Sequence, residues 1–293
     1  MIKKADKSMI PGLTALWHQS FGDSEAYIQM FLDWNFDKVQ TIVYIAEDKP
    51  VSVAYLLPIE YMPVAGHDEP DCAMKKGNDF RTSKEGPEHG INCWYLYAAA
   101  TLPEYRGRGY FGEILSFVRA NIPEPVILVP GEESLISYYE RQGLYLCQRE
   151  CTMEVVADTS GRNVAEVFKT GVCTTGISDE AYFALREQAL AGSTHMRWNE
   201  HFIRYICHEN RVCGGNQVRI TIDKMQFAAM YRVSGEALTV LEVFPQTHIE
   251  SCVQFLLLET GCRTARVCVQ PPFMANKYLQ KQCEDIYFNL TLG

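Results

Sequence analysis

Residues 94–120 read WYLYAAATLPEYRGRGYFGEILSFVRA. Positions 94–101 are almost continuously apolar, aromatic or small, which predicts a strand covered on both faces. Leu102-Pro103-Glu104 ends it, because Pro103 has no N–H with which to extend a ladder. Arg106-Gly107-Arg108-Gly109 then bends the chain into an amphipathic helix. Phe111, Ile114, Leu115 and Val118 fall on one face of that helix, at i, i+3, i+4 and i+7.

A strand, a glycine bend and a helix in this order make an anion site. Glycine allows left-handed backbone and close approach of a ligand. The first-turn N–H groups of the helix and its dipole favour a phosphate. Arg106 and Arg108 add full positive charge beside that turn. The expected ligand carries phosphates.

The chain around this run is acidic, with 27 Lys and Arg against 36 Asp and Glu and a formal net charge of −9. A surface that neutralises nucleic-acid phosphates needs a basic excess, so a nucleic-acid partner is not expected. No apolar run reaches the ~20 residues of a membrane helix, and no membrane partner is expected either. The opening MIKKADKSMIPG has charges but no apolar core of a secretory leader, which leads to the expectation of a cytoplasmic protein. The 11 cysteines are scattered, with no CxxC, and read as structural thiols of a reducing compartment. No HExxH or paired Cys–His spacing is present, so no metal is expected. His195, His201 and His208 lie six and seven apart and would share a helix face only in part.

N-terminal to the central run, residues 9–36 read as two helices joined at Gly22. The second would be capped by Asp23-Ser24 and carries Tyr27, Met30, Phe31 and Trp34 at helical spacing. Thr41–Ala46 and Val51–Tyr61 read as a hairpin around Glu47-Asp48-Lys49-Pro50. Residues 62–92 are polar, rich in Gly and Pro and without period, in keeping with either a floppy insertion or a loop lining a substrate mouth. C-terminal to the run come a buried strand, Pro125–Pro130, a short helix, Glu132–Gln142, ended by Gly143, and a strand, Leu144–Val156. Residues 157–163 read as a linker. Helices near 178–191 and 198–209, strands at 217–222, 226–233 and 237–244, a helix at 248–259 and a strand at 264–269 then repeat the same order of elements. The fold class is α/β, with mixed sheets.

YRGRGYFG after an apolar strand, followed about thirty residues later by YYERQGL, resembles the GNAT superfamily of acyl-CoA-dependent N-acetyltransferases. WHQSFGDSEAYIQMF in the first helices is similar to the tandem-GNAT type related to the enhanced-intracellular-survival acetyltransferases. The resemblance implies two GNAT-like domains in tandem: a catalytic domain over 1–156, the linker 157–163 and a degenerate second domain over 164–293. The family's Arg/Gln-x-x-Gly-x-Gly/Ala signature is met at Arg106 and Gly109, while Phe111 stands at its last position and Gly112 follows one later. In the second half the corresponding turn, Pro245-Gln246-Thr247, has neither glycine nor arginine, so no pyrophosphate is expected there.

The resemblance implies acetyl-CoA as co-substrate. Its pyrophosphate would lie on Arg106, Gly107, Arg108, Gly109, Tyr110, Phe111 and Gly112, and its pantetheine arm along Ala99, Ala100 and Thr101. The reaction implied is acetyl transfer to a primary amine of a small molecule or peptide by direct attack. Tyr139, four residues before Gly143, would protonate the departing thiolate, and Tyr138 would be packing. Where the family often has Asn to bind pantetheine, this chain has Glu132. The general base is not readable: Glu60, Glu104 and the Gly293 carboxylate are the candidates. The alternatives are a non-catalytic acyl-CoA sensor or scaffold and an aminoacyl-transferring GNAT relative. A homo-oligomer is compatible with the sequence.

Overall fold

The computed structural model describes residues 1–64, 90–158, 173–222, 224–276, 279 and 286–288. After a short strand, β1 (Ile2–Lys4), two helices pack at the N-terminus. Pro11 sits in the first turn of α1 (Ile10–Phe21), where a missing N–H costs nothing, and Gly22 ends the helix at φ 79°. The Ser24 hydroxyl accepts from the Tyr27 N–H and starts α2 (Glu25–Asn35), as expected.

The hairpin expected next is β2 (Gln40–Ala46) and β3 (Lys49–Met62). Glu47 and Asp48 turn it with left-handed backbone at both positions, the twist that matches flanking strands. β4 (Ile91–Thr101) pairs antiparallel with β3, and α3 (Tyr110–Asn121) carries the chain over to β5 (Val126–Leu128), parallel to β4. A single turn of 3₁₀ helix leads into α4 (Ile136–Arg141), shorter than the helix expected over 132–142, and β6 (Leu144–Gln148) follows.

Leu144–Val156 is not the one strand the sequence suggests. The chain leaves the sheet after Gln148, and β7 (Cys151–Val156) belongs to a second sheet. That sheet also takes β8 (Cys173–Gly176), β10 (Gly215–Ile222), β11 (Met225–Ser234), β12 (Ala237–Phe244) and β13 (Thr264–Gln270), in the order β7-β13-β12-β11-β10-β8. The helices of this half are α5 (Asp179–Leu190), α6 (Glu200–Val212) and α7 (Ile249–Thr260). Ser178 and Asn199 cap α5 and α6 through the N–H groups of Ala181 and Phe202.

Two short strands of the second half return to the first sheet. β9 (His195–Trp198) adds to β3, and β14 (Phe273–Asn276) slots between β5 and β6, antiparallel to both. The halves thus exchange strands: β7 pairs with β13, and β14 fills the place beside β5. A cut at 156 or 164 follows the chain, whereas each sheet is built from both sides of it. His195 lies on β9, ahead of the helix that carries His201 and His208.

The cores follow this layout. One apolar cluster lies on the face of the first sheet covered by α1 and α2 and runs into the second half, from Trp17, Phe31 and Tyr55 to Trp198, Phe202 and Phe288. A second lies under α3 and α4, with Leu96, Ile114, Leu115, Val126, Leu128 and Tyr139. A third belongs to the second sheet and α7. Among the cysteines, Cys93 is buried, while Cys207, Cys252 and Cys262 are buried free thiols, and burial pushes that of Cys252 up to about 12. Cys147 departs from the expectation of free thiols, since it is disulfide-bonded. Among the described residues no helix is long and apolar enough to cross a membrane.

Candidate active site

The site begins where β4 leaves its neighbours. Against β3, Tyr97 stands opposite Tyr55 and Ala100 opposite Val53, so Ala98 and Ala99 together face one residue. This is a β-bulge, and Ala98 holds it with a left-handed φ of 45°, a conformation alanine rarely adopts. Strained backbone of this kind persists where surrounding structure enforces it and concentrates at functional sites. On its other edge β4 pairs with β5 only through Trp94 and Tyr95. The two parallel strands part just before the bulge, and the backbone of 97–101 is left along the opening.

Beyond the strand the bend takes shape from its glycines. Gly107 and Gly109 have φ of 75° and 82°, and a Cβ on either would meet nothing within 4 Å. Backbone conformation, not crowding, selects glycine at both, and the space outside is open. Gly109 caps α3, so the N–H groups of Gly109, Tyr110, Phe111 and Gly112 have no carbonyl within the helix. Tyr110 stacks on Tyr44 at 4.2 Å between ring centres, which pins the helix start to β2. Gly112 lies inside the first turn, and a Cβ there would make only ordinary contacts with Gln142 and Tyr138. The displaced glycine therefore does not alter the bend. Phe111, in the signature's last position, stacks on Tyr138 at 6.3 Å and is partly buried under the helix.

The two arginines brace this bend. Arg106 Nε donates to the Thr101 carbonyl at 3.0 Å, and Arg108 Nη2 donates to the Glu104 carbonyl at 3.1 Å. Arg108 also lies over the Tyr105 ring at 5.0 Å, and the Tyr105 hydroxyl donates to Glu47. Each guanidinium keeps further N–H groups at the exposed surface. Thr101 and Ala100 are held from the other side by the Ser52 hydroxyl, at 2.8 and 3.0 Å.

Tyr139 projects from α4 into the core beneath α3, with 7% of its surface exposed. Burial, and then the neighbouring Tyr138, push its phenol up to about 12. Tyr138 lies on the other side of α4, half-buried against Phe111. Glu132 is exposed and accepts from Ser134.

Neither acidic candidate for the base is free. Glu60 is held by Arg197 of β9, through Nε at 2.7 Å and through Nη2. It lines a cleft of about 320 Å³ with Pro58, Asn92, Trp94, Glu124 and Asn199, at the end of β4 away from the bend. Glu104 is exposed beside Lys49 at 3.8 Å. Gly293 and most of the 62–92 segment lie outside the described residues. Among the described residues no group of three or more His, Cys, Asp or Glu side chains could hold a metal ion.

One constellation went unread in the sequence. The Tyr27 hydroxyl donates to Oε1 of Glu209, a residue 182 positions away on α6 and 1% exposed. Helical spacing marked Tyr27 as a core position, which its ring is; nothing local announces the carboxylate it meets.

No family model and no curated protein matches this chain. Solved structures do match its fold. A conserved Enterococcus faecalis V583 protein of unknown function, a "Probable N-Acyltransferase", superposes with a TM-score of 0.67 at 13% identity, over 94% of this chain and 72% of that one. A GCN5-related N-acetyltransferase from Kribbella flavida gives 0.62 at 14% identity, over 94% and 71%. Eis1 from Mycobacterium abscessus gives 0.57 at 11% identity, over 91% of this chain and 65% of that one. At such identities the likeness carries the fold.

Proposed function

From a chain with the GCN5-related N-acetyltransferase fold, built of two GNAT-like halves, we propose an N-acyltransferase that moves an acetyl group from acetyl-CoA to a primary amine of a small molecule or peptide. The observation that carries the reading is the parting of β4 from β5 at the Ala98–Ala99 bulge, opening toward the glycine-built start of α3. An extended pantetheine arm needs an unpaired strand edge, and a pyrophosphate needs free N–H groups. This chain presents the two in sequence, at Ala99, Ala100 and Thr101 and then at Arg106 to Gly112.

The chemistry follows from the groups present. An alkylammonium has a pKa of about 10.4 and must lose a proton before its nitrogen can attack a thioester carbonyl. Backbone N–H groups near Ala99–Thr101 would stabilise the oxyanion as the N–C bond forms. As the C–S bond breaks, Tyr139 would give its proton to the thiolate. A phenol pushed up to about 12 is fully protonated at neutral pH and suited to that donation. The second half has no such bend and binds no CoA in this reading. The test is thiol release from acetyl-CoA over a panel of amino acids, polyamines, aminoglycosides and peptides. Release with at least one amine is expected. Tight acetyl-CoA binding with no release from any of them would favour a sensor, and no binding at all would sink both readings.

A further inference from the structure

Past its bulge, β4 is laddered only to β3, and from that side it meets a buried hydroxyl. Ser52 of β3 is fully buried and stands opposite Thr101, the last residue of β4. Its hydroxyl has one proton, which it donates to the Ala100 carbonyl at 3.0 Å. The 2.8 Å contact between Ser52 Oγ and Thr101 Oγ1 is therefore the Thr101 hydroxyl donating to Ser52. Both hydrogen bonds go to the two residues that end the open edge. The peptide planes say what is held. The Leu102 N–H donates toward β3, to the Val51 carbonyl at 2.9 Å, so the Thr101 carbonyl of the same trans peptide points the other way, to the open edge. Arg106 Nε donates to it there. One peptide earlier the Ala100 carbonyl points to β3 and Ser52, so the Thr101 N–H also points to the open edge. The second half is built differently at the matching place. Two residues past its own bulge, Val243 of β12 stands opposite Ala229 of β11, and both are buried. This framework closes without hydroxyls at that pair, so folding does not demand them in the first half.

We infer that Ser52 is a positioning residue for acetyl-CoA: it fixes the Ala100–Thr101 peptide so that the Thr101 N–H is aimed at the pantetheine arm. The inference rests on the acyltransferase reading above. A strand inside a sheet is held by ladders on both sides. Residues 97–101 have β3 alone, and the bulge interrupts even that ladder just before Ala100. Ser52 adds a side-chain hydrogen bond where the backbone is least constrained, so the edge is ordered before a ligand arrives and less freedom is lost on binding. Arg106 already occupies the Thr101 carbonyl, which leaves the N–H as the group on Thr101 to meet an amide carbonyl of the arm. Ser52 itself touches no ligand and acts through that N–H. The nucleotide end of the co-substrate, held at the bend, does not depend on it.

The experiment measures, by calorimetry on the full chain, the affinity for two ligands. One is acetyl-CoA; the other is adenosine 3′-phosphate 5′-diphosphate, which keeps the phosphates and lacks the arm. Ser52→Ala is expected to weaken acetyl-CoA about tenfold, one net hydrogen bond's worth, and to leave the nucleotide within about twofold. Thr101→Ser keeps the hydroxyl and should bind both ligands as wild-type does. Ser52→Ala combined with Thr101→Val installs the second half's own pair, which this framework accommodates, and should repeat the selective loss. Wild-type acetyl-CoA affinity in either Ser52→Ala chain, or an equal loss for both ligands, overturns the positioning role and leaves the acyltransferase reading standing. A wild-type chain that binds no acetyl-CoA removes that reading first and the role of Ser52 with it.

Discussion

In the first half, β4 pairs with β5 only through Trp94 and Tyr95, bulges at Ala98–Ala99 and continues as Ala100 and Thr101. In the second, β12 pairs with β13 from Ala237 to Val240, skips Leu241 in a matching bulge against β11 and continues as Glu242. By register Glu242 stands where Ala100 does. The small residue leaves an opening, and the acid fills one. Glu242 is fully buried, bound by Arg186 Nε at 3.1 Å and by the hydroxyls of Tyr182 and Tyr287 at 2.6 and 3.0 Å. The turns that follow differ in the same sense. Gly107 and Gly109 put left-handed backbone around open space, whereas Pro245 and Gln246 lead to α7 with no glycine. One framework thus yields a cradle when its key positions are small, and a brace when they carry a buried ion pair. Tyr287 and the Arg186 contact with the Met196 carbonyl tie that brace to β9, and so to the first sheet.

The comparison can be broken at several points. The largest effect is expected at the brace. Glu242→Gln leaves Arg186 buried with its principal carboxylate partner gone, which should cost about 3–5 kcal/mol in denaturant unfolding. A loss under about 1 kcal/mol would show that the ion pair does not hold the halves together.

Tyr139→Phe should lower thiol release about a hundredfold while acetyl-CoA affinity, read by calorimetry, stays within about twofold. Unaltered turnover would remove Tyr139 as the acid.

Tyr139 also marks the core at high pH. Its phenol is raised from 10.0 to about 12 in the folded chain, so its contribution is fully present below pH 10 and is lost as the pH climbs through about 12. Wild-type should lose about 2–3 kcal/mol more than Tyr139→Phe over that window in unfolding titrations.

At the bend, Gly109→Ala forces a side chain into left-handed backbone at about 1 kcal/mol or more, and should weaken acetyl-CoA binding about five- to tenfold. Gln246→Gly in the second half should leave that affinity untouched. The smallest effects are at the caps the halves share. Ser24→Ala and Ser178→Ala should each cost about 1 kcal/mol, seen as similar small falls in Tm.

Much of the first half was legible because its signals are local. The apolar period of 110–121, Pro103 at the strand end, Gly22 and Gly143 as helix stops and the cap at Ser24 each act within a few residues. The bend was legible too, down to Gly107 and Gly109, because left-handed backbone demands glycine wherever it occurs. Gly112, one residue past the signature's last position, falls inside the first turn, since the helix has already begun at Tyr110.

The rest depended on partners far along the chain. That 144–156 breaks into two strands in two sheets is invisible locally, since both pieces have the same β-rich composition and only pairing with β14 or β13 separates them. Short strands such as His195–Trp198 carry too few residues for a period to register. Glu209 sits in a charged helix where Glu200 and Arg204 form an ordinary surface pair, and only the approach of Tyr27 makes it different.

The sequence alone determined which segments become strands and helices, and where the backbone must turn left-handed, because sterics and burial periodicity act over a few residues. The tertiary structure alone decided which sheet each strand joins, and that a carboxylate of the second half meets a hydroxyl of the first. Pairing and desolvation depend on what the chain brings together, and no spacing along it records that.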